Sequence, residues 1–151
     1  MSNLWAALLA SDKGAYAFDL GAGTCWVSCL DERRFDRLAG KYPFGLVAMN
    51  GTLPCESGVV WTTLKGNRAV EMARKFFMPP TVLFRRGAQG VALWAVQPTV
   101  HAWTINEQLA RLFKGRLKDA SPFDFRLDIR GCSAEWQMNA YYNSKELAGR
   151  L

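Results

Sequence analysis

Arg85 and Arg86 stand side by side immediately before the glycine-flanked turn Gly87-Ala88-Gln89-Gly90. The apolar runs 81–84 and 91–96 on either side are short and bounded by Pro and Gly, a pattern that predicts strand, turn, strand. Two fixed cations at the rim of a sheet can bind phosphate or carboxylate. The charge of the chain concentrates around them. Residues 65–118 hold ten Lys and Arg against two acids, a net of +8, whereas residues 1–64 hold five against six and residues 119–151 four against five. The chain's formal net charge of +6 therefore arises from one segment, the electrostatic footprint expected for nucleic acid or another acidic partner. A basic, solvated surface with no partner has the same composition. Lys65, Arg68, Arg74, Lys75, Arg85 and Arg86 are the candidate contacts. Of the six tryptophans, Trp94 is the candidate for stacking on a base, although the strand period equally allows it to face the core.

Other residues with chemical potential point less far. Asp124 and Asp128 lie four apart, on one side of a strand if 123–129 is extended. Arg126 shares that side, so an Asp-Arg-Asp ladder explains the pair without a metal. His101, the single histidine, has no evident nucleophile or orienting carboxylate. Cys25, Cys29, Cys55 and Cys132 contain no CxxC pair and sit among apolar neighbours, which predicts buried free thiols, no zinc and a reducing, cytoplasmic compartment. Gly21-Ala22-Gly23 and the 87–90 turn are followed by no Gly-Lys-Ser/Thr, so neither is a Walker loop. No nucleotide or other cofactor is implied.

These residues need a frame. At 151 residues and 50% hydrophobic content, the sequence supports one α+β domain over 1–151. No apolar run approaches the ~20 residues of a membrane span. Residues 4–10 lack a basic flank and read as a short first helix, not a secretory signal. Strands are predicted at 16–20 and 24–30 around the first glycine loop, then at 46–49, 59–64 and 123–129. Asp31 is a candidate cap for a short helix. A helix from Gly66-Asn67 should carry Val70, Ala73 and Phe77 inward and stop before Pro79-Pro80. Thr104 and Glu107 form a capping box for the next helix, and Ser133 should cap a last helix burying Trp136, Ala140 and Leu147. The expected architecture is a central, mostly antiparallel sheet with flanking helices.

From residue 59 onward, the order of elements resembles the archaeo-eukaryotic primase superfamily, in particular the primase-polymerase domains of plasmids and phages. The matching pieces are Val59-Val60-Trp61-Thr62-Thr63-Leu64, the helix at 69–77, Pro80-Thr81-Val82-Leu83-Phe84, the turn and strand 87–94, the helix at 105–113, and the strand and turn 123–131. Upstream, Gly45-Leu46-Val47-Ala48-Met49-Asn50 resembles a strand that ends in asparagine in many relatives. The resemblance implies an acidic metal-binding pair on the first of these strands and a histidine after the turn. Here the strand reads Val60-Trp61-Thr62-Thr63 and the histidine position falls on Val91 or Ala92. Two-metal phosphoryl transfer needs converging carboxylates that hold ions about 3.5–4 Å apart.

The expected protein is therefore a primase-like relative without catalysis. It would bind nucleic acid, single strands in preference, or a replication or transfer complex of a plasmid or phage. One alternative is a small adaptor or inhibitor that docks on an acidic protein surface. The other is a divergent nucleotidyltransferase using Asp19, Asp124 and Asp128. Mass spectrometry of the native protein is expected to show four free thiols and no zinc; one equivalent of bound zinc would contradict that.

Overall fold

The structure, a computed structural model, describes residues 15–19, 24–28, 32–39, 41, 44–47, 57–121, 132–137 and 139–151. Strands β1 (Ala15–Asp19) and β2 (Thr24–Ser28) pair antiparallel, as the glycine loop between them predicts. Helix α1 (Glu32–Ala39) leads to β3 (Phe44–Val47), which pairs with the other edge of β1. A second sheet holds five described strands. Within it, β4 (Ser57–Lys65) is followed by helix α2 (Asn67–Arg74), then β5 (Val82–Arg86) and β6 (Gln89–Thr99). Helix α3 (Ala102–Phe113) and the 3-10 turn η1 (Leu117–Ala120) come next, and β7 (Ser133–Trp136), β8 (Tyr141–Tyr142) and α4 (Ser144–Gly149) close the chain.

β6 is central. One edge pairs antiparallel with β4, and the other pairs with β5 and then, in parallel, with β8. β7 pairs antiparallel with the outer edge of β5. Only the β8 pairing is parallel among the described strands of this sheet, so the mostly antiparallel expectation holds. The register between β4 and β6 shifts between Ser57 and Val59, opposite Pro98, a residue that cannot donate to a ladder and suits such an irregularity.

The sheet has two buried faces. Val60, Leu64, Leu83, Ala92, Trp94 and Val96 face α2, α3 and Leu147 of α4 in the main core. The Trp94 ring stacks on Phe113 at 5.8 Å, and Phe76 meets both rings edge-on. The opposite face carries rows set by the register, Trp61–Leu93–Val82–Trp136 and Thr63–Val91–Phe84–Ala134. Trp61, Leu93, Val82, Val91 and Phe84 are buried there.

Among the described residues, the outer edge of β4 is met by side chains instead of a strand. Asn106 of α3, completely buried, accepts the Trp61 backbone N–H at 2.8 Å and donates to the Ala120 carbonyl at 3.0 Å. The Trp61 indole donates to the Asp119 carbonyl at 2.9 Å. These bonds satisfy backbone groups that an edge strand otherwise exposes. Thr81 bridges the gap between β5 and β8 on the other side. Its hydroxyl accepts from the Ala95 N–H and donates to the Ala140 carbonyl.

Several expectations need correction. α3 starts at Ala102, before Thr104, and its N-cap is His101 with no side-chain cap bond, so the capping box is not formed. α2 ends at Arg74, which leaves Phe77 60% exposed. Phe76 takes the inward position because the turn before Pro79-Pro80 rotates the chain out of helical phase. Ser133–Trp136 is a strand, because it finds the unpaired edge of β5. The last helix begins instead after Asn143, whose side chain accepts from the N–H groups of Lys145 and Glu146. Of its expected inward residues, Leu147 is fully buried but Trp136 and Ala140 lie outside the helix. The helix at 4–10, the Asp31 cap, the strand at 123–129 and the side chains of Cys25, Cys29 and Cys55 lie outside the described residues. Cys132 is half-buried.

Asn106→Leu is expected to cost about 2–6 kcal/mol, since the acceptor for the Trp61 N–H and the donor to the Ala120 carbonyl disappear together at ~1–3 kcal/mol each. Urea denaturation measures this; a loss below ~1 kcal/mol would show that the β4 edge does not depend on Asn106.

Candidate nucleic-acid interface

The β5–β6 hairpin puts the two arginines where the sequence reading expected them. Val82↔Leu93 through Arg86↔Gln89 form a regular antiparallel ladder, closed by a two-residue loop of Gly87 and Ala88. Gly87 has φ +60°, and Ala88 is not left-handed, the combination of a type II′ turn with glycine at its first central position. This turn matches the twist of the flanking strands. A side chain at Gly87 would be strained by the backbone angle alone.

The hairpin tip is locked to the start of α2. Gly66 N–H donates to the Ala88 carbonyl at 2.7 Å. Arg85 donates through Nε to the Gly87 carbonyl at 2.8 Å and through Nη2 to Asn67 Oδ1 at 3.0 Å. Both acceptors are neutral, so the guanidinium is held in place with its charge intact. Arg85 is thus part of the turn's architecture as well as a cation. Substituting it therefore costs more than a rim residue would.

Register assembles the rest. Lys65 lies opposite Gln89, and Gln89 lies opposite Arg86. Directly opposed residues share a face, so Lys65 and Arg86 flank Gln89 in one row at the end of the sheet. Three strands at ~4.8 Å spacing put their Cα atoms roughly 10 Å apart. Arg85 points to the other face, beside Asn67, and Arg68 follows Asn67 in the first turn of α2. Lys65, Arg68, Arg85 and Arg86 are therefore brought to one end of the sheet.

The other candidates are not. Arg74 and Lys75 lie at the far end of α2, ~10 Å along its axis from Arg68 at ~1.5 Å per residue. Arg74 is engaged with acids. It donates through Nε to Glu135 Oε2 at 2.9 Å and through Nη2 to Glu135 Oε1 at 2.5 Å, and Nη1 pairs with Glu71. The hydrogen bond to Glu135, with the field of Glu135 and Glu71, holds this guanidinium above its ordinary pKa despite some desolvation. This fork fastens α2 to β7. Trp94 is fully buried and its indole donates to the Met78 carbonyl at 2.7 Å, so it is a core residue and no base can stack on it. His101 is exposed at the start of α3. Asp124 and Asp128 lie outside the described residues.

Sequence reasoning missed the segment after α3. Lys114, Arg116 and Lys118 are exposed, and the Arg116 N–H donates to Thr63 Oγ1 at 2.8 Å. Thr63 stands two residues before Lys65 on the same face of β4. The available signal was Gly115, a glycine two residues beyond the helix end at Phe113.

No family model matches the chain, and no curated protein matches its sequence. Solved structures do match. The AEP domain of the cyanophage S-2L primase-polymerase aligns with TM-score 0.62 at 15% identity, over 97% of this chain and 93% of its own. The catalytic domain of primase RepB′ in complex with initiator DNA aligns with TM-score 0.63 at 8% identity, over 99% and 93%. A further RepB′ primase structure aligns with TM-score 0.58 at 8% identity, over 85% of this chain and 48% of that one.

The fold is that of a primase-polymerase domain. Within this primase-like fold, the strand expected to carry the metal-binding acids is β4. Its residues on the face opposite the main core are Val59, Trp61 and Thr63, lying against Ala95, Leu93 and Val91 of β6. Val59 and Trp61 are buried among apolar neighbours, and the Thr63 hydroxyl oxygen is engaged by Arg116. Divalent magnesium takes oxygen ligands in near-octahedral geometry, and this surface of β4 and β6 does not fit it.

Arg74→Gln is expected to lower the thermal midpoint while leaving nucleic-acid affinity and its salt dependence unchanged. Differential scanning fluorimetry and a binding titration on one preparation check this. Weakened binding at an unchanged midpoint would return Arg74 to the interface.

Proposed function

We propose that this chain is a non-catalytic primase-like protein that binds nucleic acid through the basic end of its sheet. The observation that carries this reading is the row Lys65–Gln89–Arg86, locked to the start of α2 by Arg85 and the Gly66–Ala88 bond. Cations in such a row contact phosphates and give affinity without reading sequence. The row sets two cations ~10 Å apart across the sheet end. A single strand crossing the end of the sheet would meet both. The RepB′ neighbour was solved with initiator DNA, and another neighbour is a cyanophage domain, so a role in phage or plasmid replication agrees with the fold.

The absence of catalysis rests on β4. Where the resemblance implies acids, the strand reads Val60-Trp61-Thr62-Thr63, and the buried Trp61 donates its indole N–H to the Asp119 carbonyl. A carboxylate substituted there would lose its solvation without gaining a partner.

Lys65→Gln combined with Arg86→Gln is expected to weaken binding of a single-stranded oligonucleotide at low salt. The log–log salt dependence should become shallower by about 0.7 for each phosphate no longer neutralised. The thermal midpoint should hold, because neither residue belongs to the core. An unchanged slope and affinity would mean that the row is solvated surface only.

A further inference from the structure

We propose that the segment between α3 and η1, centred on Lys114 and Lys118, is a second phosphate-binding element that extends the track from Lys65; this rests on the binding role proposed above. Three observations carry it.

The first is backbone conformation. Lys114 has φ +59°, and it alone is left-handed among the described non-glycine residues. Helices commonly end in this conformation, but usually with glycine or asparagine there. A longer side chain is disfavoured because its Cβ crowds the following carbonyl oxygen. Glycine is present in this chain, one position later. A Cβ on Gly115 would stand 2.4 Å from both Thr62 Oγ1 and the Thr63 carbonyl, so position 115 cannot carry a side chain. The chain thus presses Gly115 onto β4 and leaves a lysine at the strained position beside it.

The second is charge. The stretch 107–119 holds Arg111, Lys114, Arg116 and Lys118 against Glu107 and Asp119. Arg111 pairs with Glu107 at 3.7 Å and Arg116 with Asp119 at 2.8 Å. Among the described residues, that leaves Lys114 and Lys118 with no carboxylate, both exposed.

The third is position. The Arg116 N–H to Thr63 Oγ1 bond fixes this segment against β4 two residues from Lys65, ~6.7 Å along the strand. With the Lys65–Arg86 row, the cations follow a line that bends at Lys65, ~10 Å across the sheet end from Arg86 and then ~6.7 Å back along β4 to Thr63, where Arg116 lies. A single polynucleotide strand can follow such a line, and the 3-10 turn that follows presents Lys118 on the same segment.

The test is fluorescence anisotropy with a labelled oligothymidylate on the full chain. The variant is Lys114→Asn with Lys118→Gln, because asparagine suits the left-handed backbone and removes the charge. Binding should weaken at low salt and the log–log salt slope should fall by about 1.4, two phosphates at ~0.7 each. Lys114→Arg with Lys118→Arg should keep the wild-type slope. Unchanged affinity and slope in the neutral variant, with Lys65→Gln and Arg86→Gln still weakening binding, would overturn this inference alone. A lowered thermal midpoint with unchanged binding would also overturn it, since Lys114 would then serve only the helix dipole. If the wild-type chain does not bind at low salt, the underlying reading falls and this one with it.

Discussion

Strand β6 is the constraint on which the rest depends. Both of its edges are occupied along nearly its whole length, by β4 on one side and by β5 and β8 on the other. Residues at its start, Gln89 and Gly90, fix which side chains of β4 and β5 stand together at the end of the sheet. A slip of one residue in either ladder would turn Lys65 or Arg86 to the opposite face. Such a slip would also turn Trp61 or Phe84 from its own buried face into the packed main core. The same register therefore serves burial and the basic row, and the core enforces the site.

That coupling acts on both faces of the sheet. The helix-covered face is a conventional apolar core around Trp94 and Phe113. On the opposite face Trp61, Leu93, Val82, Val91 and Phe84 are buried as well. Trp61 is its keystone, since its indole and its backbone N–H both reach across the sheet edge, to Asp119 and Asn106. A strand so committed to burial holds the α3 connection against β4. The positive charge then collects at the sheet end, where side chains reach solvent.

Legibility in the sequence followed how local the deciding interactions are. The β5–β6 hairpin was readable because Gly87, the bounded apolar runs and the arginines all lie within one short stretch of chain. The β1–β2 hairpin was readable for the same reason. β7 was not, because nothing local marks Ser133–Trp136 as extended; the free edge of β5, distant in sequence, decides it. The start of α4 was legible in Asn143 and Glu146, a cap and its third residue, but Ser133 offered an earlier, misleading cap. Trp94 was ambiguous by period alone, and the register of β6 resolves it inward. Arg74 looked like any basic residue of its segment until Glu135, far along the chain, appeared beside it.

The central claim is that this primase-like fold holds a nucleic-acid strand without adding nucleotides to it. One assay addresses both halves: a labelled primer–template with single-stranded overhang, incubated with pure protein, magnesium or manganese and all nucleoside triphosphates. The account predicts a complex retarded on a native gel at low salt and a primer of unchanged length on a denaturing gel. Primer extension that is abolished by Asp124→Ala would contradict it.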